Sequence, residues 1–206
     1  AYLSAAVMGF DAVTAPHARS IPKWCAAAAP LAPDHAHLNL ALGITAYAEA
    51  RDPVTLRKII ERALRQSSSD FVTLTLSGWA YVWIGDHRAA VDCLSKAWTF
   101  GKQSPFALAI KGGLAFALLQ TGDDQGAISH AREGLETSVE YATLHRVLAA
   151  AYAHSGEDAA AQVALRAALR ADPQDSIRSI RARNLFADHD HGNRYLDGLR
   201  LAGMPE

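Results

Sequence analysis

Cysteine is almost absent from this sequence: Cys25 and Cys93 stand far apart and form no CxxC pair. That excludes a disulfide framework, and two lone thiols suit core positions in a reducing compartment, so a cytoplasmic setting is expected. Charge of one sign is lacking as well, since 20 Lys and Arg against 21 Asp and Glu leave a net charge of -1. Binding to DNA, RNA or an anionic membrane usually needs a basic face, so direct contact with nucleic acid is not expected. No stretch reaches about eighteen uninterrupted apolar residues and no basic-then-apolar leader opens the chain, so neither a membrane span nor a signal peptide is read. An initiator Met is missing, and "AYLSAAVMGFDAV" is already helical in period. The expectation is a piece of a longer protein.

Catalytic motifs are lacking too. There is no GxGxxG, no GxxxxGK[ST] and no HExxH; the pair Gly112 and Gly113 lies within a helical pattern, where close packing explains it. Ser, His and Asp are present, but nothing places them in a nucleophile's arrangement. No catalytic residue and no cofactor is expected. Asp188, His189, Asp190 and His191, and earlier Asp34 to His37, offer ligand types that zinc uses. Adjacent loop positions do not converge on one ion unaided, so the expected role is helix capping by an Asp, with the histidines in water. Arg178, Arg181 and Arg183 are read as a solvated face.

What the sequence does have is helix, and helix that repeats. Half of it is apolar, enough for a continuous core. Ala, Leu and Arg recur at three- and four-residue spacings in "LRKIIERALRQ" and "VALRAALRADP". Tyr47, Tyr81, Leu118 and Tyr152 stand 34, 37 and 34 residues apart by subtraction, and the small residues Ala63, Ala97, Gly134 and Ala168 keep the same steps. Turns beginning "RDP" at Arg51, "GDH" at Gly85, "GDD" at Gly122 and "GED" at Gly156 hold that register. A period of this length signals a stack of helix pairs.

The pattern resembles the tetratricopeptide repeat, W-x2-L-G-x2-Y, A-x3-F, P. Residues 71–104 supply Leu74, Ser77, Gly78, Tyr81, Ala90, Leu94 and Ala97; residues 142–175 supply His145, Leu148, Ala149, Tyr152, Ala161, Leu165, Ala168 and Pro173. Residues 37–70 are looser, with Gly43, Tyr47, Leu56, Ile60 and Ala63, and residues 108–141 replace the Tyr with Leu118 after three extra residues. Gly78, Ala115 and Ala149 are expected to let helices approach closely. The resemblance implies an all-α right-handed superhelix of antiparallel pairs. A degenerate repeat is expected over 1–36 and C-terminal capping helices over 176–206.

A second resemblance lies in the ending. The stretch "AYAHSGEDAAAQVALRAALRADP", a linking helix, an F-x-D turn and "YLDGLRLAGMPE" look like the C-terminus of a bacterial family. There, such repeats follow a class III adenylate or guanylate cyclase domain or a winged-helix DNA-binding domain. This implies the non-catalytic regulatory part of a signalling protein. Its expected partners are a protein or peptide segment, its own output domain, or a second copy in a homodimer.

Transferring the repeat's frame places Leu38, Ala41, Thr45 and Glu49 on the concave groove, then Val72, Thr75, Trp79, Val82 and Trp83. The groove continues with Gly112, Phe116, Leu119 and Gln120, and with Thr143, Arg146, Ala150 and His154. The chaperone-type carboxylate clamp of Lys, Asn and Arg is missing, for Ala41, Thr45, Thr75 and Trp79 stand there instead. The candidate partner groove is therefore Val72, Thr75, Trp79, Val82, Trp83, Phe116, Leu119 and Arg146. Exposed Trp79, Trp83 and Phe116 would make an apolar recognition patch. Two alternatives stand beside it: a core stripe formed by the Trp pair, and a small-molecule sensor pocket closed against these rings.

Overall fold

The computed structural model describes residue 23, residues 27–183 and residues 193–206. Asp188 to His191, Cys25 and most of the expected 1–36 repeat lie outside them. Eight helices form four successive pairs: α1 (Ala36–Ala50) with α2 (Pro53–Gln66), α3 (Phe71–Trp83) with α4 (His87–Gly101), α5 (Ala107–Thr121) with α6 (Asp124–Thr137), and α7 (Ala142–His154) with α8 (Asp158–Ala171). The short α9 (Ile177–Arg183) and the last helix α10 (Asn193–Leu201) follow. Each pair packs on the next, giving an all-α right-handed superhelix of antiparallel pairs with a C-terminal capping helix.

Local chemistry sets the helix ends. The Asp52 carboxylate accepts from the Val54 and Thr55 amides ahead of Pro53, and Asp70, Asp86 and Asp123 accept from the amides of Thr73, Ala89 and Gly126. Each such cap is worth about 1 kcal/mol. At the ends of α3, α5 and α7 the chain turns through Gly85, Gly122 and Gly156 at φ 82, 86 and 75, a left-handed conformation that favours glycine. There the amides of Asp86, Asp123 and Glu157 donate to the carbonyls of Tyr81, Leu118 and Tyr152. The aromatic or apolar landmark of the period thus also accepts the bond that closes its helix. After α1 the left-handed residue is Arg51, at φ 52.

Packing follows the small residues. A methyl group on Gly43 would lie 2.8 Å from Ile59, and one on Gly78 would lie 2.5 Å from Leu94, so the helices of these pairs touch where a side chain is missing. Ala63, Ala97, Ala115, Ala149 and Ala168 are all buried. The second helices are amphipathic, with Leu56, Ile60 and Ala63 the buried residues of α2. By contrast α3 is buried at every position from Thr73 to Trp83. No helix among the described residues is long and apolar enough to cross a membrane.

Candidate functional site

The first helices of a superhelix line its concave face, and α10 lies there, packed against α7 and α5. Its contacts begin with Arg194, whose Nη2 donates to both carboxylate oxygens of Asp124 at 2.7 and 2.6 Å, while its Nε donates to the Leu119 carbonyl at 2.8 Å. Leu119 lies in the last turn of α5, where its carbonyl also accepts from the Gly122 amide and the helix dipole is negative. A planar guanidinium satisfies carbonyl and carboxylate together. His154 Nε2 donates to the Arg194 carbonyl at 2.7 Å, and Gln120 Oε1 accepts from the Tyr195 amide at 3.0 Å.

Below this polar entrance the contact is apolar. The fully buried Tyr195 ring lies 4.9 Å from Phe116, centre to centre. Leu196 and Leu199 are buried on the same helix. One turn beyond Arg194, a methyl group on Gly198 would fall 2.7 Å from Ala150 Cβ and 2.8 Å from its Cα and carbonyl oxygen. The two helices meet backbone to backbone at that point. Five positions that the repeat frame puts on the groove, Phe116, Leu119, Gln120, Ala150 and His154, therefore hold a helix already, with Asp124 beside them.

Of the two readings of these rings, an exposed patch or a core stripe, the structure shows the core. Thr75, Trp79, Val82, Trp83, Phe116, Leu119 and Arg146 are all buried; of the eight candidate residues only Val72 is half-buried. Trp79 fits a slot that Gly112 and Gly113 leave on α5 and donates its Nε1 to the Ala109 carbonyl at 3.1 Å. Trp83 lies beside it, 6.1 Å between centres, and its carbonyl accepts from the Tyr47 hydroxyl. The Trp pair joins repeats. The Thr75 hydroxyl is spent on the Phe71 carbonyl. Arg146 pairs with Asp175 and donates to the Thr143 hydroxyl at 3.0 Å, both ions fully buried, which ties α7 to the turn after α8. Phe116 and Leu119 are the two candidates that face α10.

Asp34 and His37, the acidic and imidazole groups of the earlier cluster, have protein partners. Asp34 accepts from Arg62, and His37 meets Asp70 at 2.5 Å. Burial alone would raise the Asp70 carboxyl, but bonds from Thr73 and His37 outweigh it and hold it below its ordinary value. Asp34 does not cap α1, whose N-cap residue is His35. Among the described residues no group of three or more His, Cys, Asp and Glu could hold a metal ion. Arg178 and Arg181 are exposed. Burial pushes the free Cys93 thiol up to about 11, far from the thiolate that reaction needs. A recess of about 490 Å³ near Glu140 and Arg170 contains His145, which is committed to the Val139 carbonyl at 2.7 Å.

No family model matches the chain, and no curated protein matches it in sequence. Solved structures do. The MamA MSR-1 C2 structure is 23% identical, with a TM-score of 0.56 over 66% of this chain and 76% of that one. The MamA AMB-1 P212121 structure is 24% identical, with a TM-score of 0.53 over 69% and 75%. YrrB, described as a TPR protein with an unusual peptide-binding site, is 16% identical, with a TM-score of 0.55 over 86% and 90%. At these identities the likeness establishes architecture alone: the chain has the tetratricopeptide-type fold.

Proposed function

We propose that this chain is a non-catalytic interaction domain that binds a protein segment on its concave face, as the regulatory part of a larger bacterial signalling protein. The observation that carries this reading is the seating of α10. Asp124, Gln120 and His154 meet the start of a helix while Phe116 and Ala150 take its apolar side. A face that receives one helix through backbone, charge and shape has the attributes of helix-in-groove recognition. The relative YrrB is described as peptide-binding, which supports the same class of function here. The ending's resemblance to cyclase- and winged-helix-linked repeats supports an output domain upstream, with this segment as its regulator.

Selection of displayed peptides against the full chain tests the reading. Enriched peptides should bind the wild type and lose at least about tenfold in affinity on Asp124→Arg, a charge reversal at a paired site, with no loss of helical circular dichroism beyond that of α10 itself. Peptides that bind both forms equally, or no enrichment, would remove the concave face from the function.

A further inference from the structure

The way α10 fills the groove specifies what else would fit there. Three donors of Arg194 are engaged by Asp124 and the Leu119 carbonyl, a niche that a lysine's point charge does not match. The next residue supplies an aromatic ring to Phe116. Four positions after the arginine the helix must be without a side chain, because Ala150 stands 2.7 Å from where one would begin. Gln120 and His154 read only the main chain of the first turn, at the Tyr195 amide and the Arg194 carbonyl. That contact is independent of sequence but demands a helix N-terminus. Together these give a register: arginine, aromatic, two further residues, glycine.

With nine residues, α10 is too short to be a stable helix alone, since isolated helices need about 12–15 residues. Its helicity follows from docking. Resting on the reading of the concave face as a binding surface, we infer that the partner is a helical segment of a separate protein carrying this arginine-aromatic-x-x-glycine register, and that it takes the groove by displacing α10. Exchange of α10 between two copies would reproduce the same contacts and leave the entropy of association unrepaid. A separate segment can add contacts beyond the length of α10. In this scheme α10 is a built-in competitor that sets the threshold for capture.

The test uses the full chain and a fluorescein-labelled peptide of residues 193–206. In the chain variant Arg194→Glu, α10 meets Asp124 with like charge and leaves, so the peptide should bind this variant at least about tenfold more tightly than the wild type. Adding Asp124→Arg should cancel the gain, and a peptide with Gly198→Leu should not bind. The inference falls if Arg194→Glu keeps its helical signal without gaining affinity, or if the Gly198→Leu peptide binds as well as the native one. It also falls if Arg194→Glu unfolds, since α10 is then inseparable from the fold, or if mixed labelled wild-type copies trade α10 in a dimer. Displayed peptides that bind through Asp124 while the 193–206 peptide fails would sink this register and leave the interaction-domain reading standing.

Discussion

The Lys111 ammonium lies 4.1 Å from the centre of the Trp98 ring and is almost completely buried. The side chain starts on α5 and runs out between α4 and α6, where it reaches Glu133 and, at 2.9 Å, His130. One lysine thus fastens three helices of two repeats. Lys111→Ala is expected to lower stability by about 2 kcal/mol, through lost packing, cation–π attraction and ion pairing. Lys111→Met keeps the stem over Trp98 and should cost about half as much. Urea unfolding measures both, and equal losses would show that the charge outweighs the stem.

The same cluster makes stability depend on pH. Burial, and then the charge of Lys111, hold His130 below its ordinary 6.5. The unfolded chain therefore binds a proton there before the folded one does, and stability falls as pH drops below about 6.5. Glu133 is held below its ordinary 4.5 chiefly by the Lys111 hydrogen bond. Its contribution is present above that value and is lost as pH falls through the lower folded-state value. The two effects add on the acid side. His130→Gln should flatten the upper part of the profile; an unaltered profile would place the acid sensitivity elsewhere.

Trp79 belongs to the contact between repeats. Trp79→Ala is expected to cost about 3–5 kcal/mol, as emptying a core aromatic site does, and to reduce helical circular dichroism on mild heating. Trp79→Phe retains part of the ring but loses the Nε1 bond to the Ala109 carbonyl, at about 1 kcal/mol. If Trp79→Ala kept its melting temperature and lost only partner capture, the ring would be a recognition residue.

Gly122 has open space around its Cα, with φ at +86 and nothing within 4 Å of an added methyl group. Gly122→Ala should therefore cost about 1 kcal/mol from backbone conformation alone. Gly122→Asn should cost less, since Asn tolerates the left-handed region. Thermal melts of the two variants separate strain from crowding; equal losses would point to crowding.

Much of the architecture is legible in the residues because it is local and periodic. The step between Tyr81, Leu118 and Tyr152 marks where one helix closes, and their carbonyls accept the bonds that close it. Asp86 and Asp123 announce the next helix by capping it. The small residue Gly78 predicts close approach, and Leu94 fills the space it leaves. Each of these signals depends on neighbours within a turn or within one repeat.

The groove was legible only as a set of positions. Spacing places Trp79 and Phe116 on first helices, but it cannot say that Gly112 and Gly113 open a slot for one, or that Tyr195 covers the other, because those partners come from 33 and 79 residues further along the chain by subtraction. In α10 the signals were present: an apolar stripe of Tyr195, Leu196 and Leu199, with Gly198 between. They gave no hint of which face would receive it.

The sequence by itself determined the helices, their pairing and the period of the stack, because capping, left-handed turns and apolar spacing act over a few residues. Only the tertiary structure decided which rings are buried and that the concave face holds the chain's own last helix. Burial is a property of what arrives from elsewhere, and the fit of Gly198 on Ala150 exists only once the superhelix has brought α7 within reach of the C-terminus.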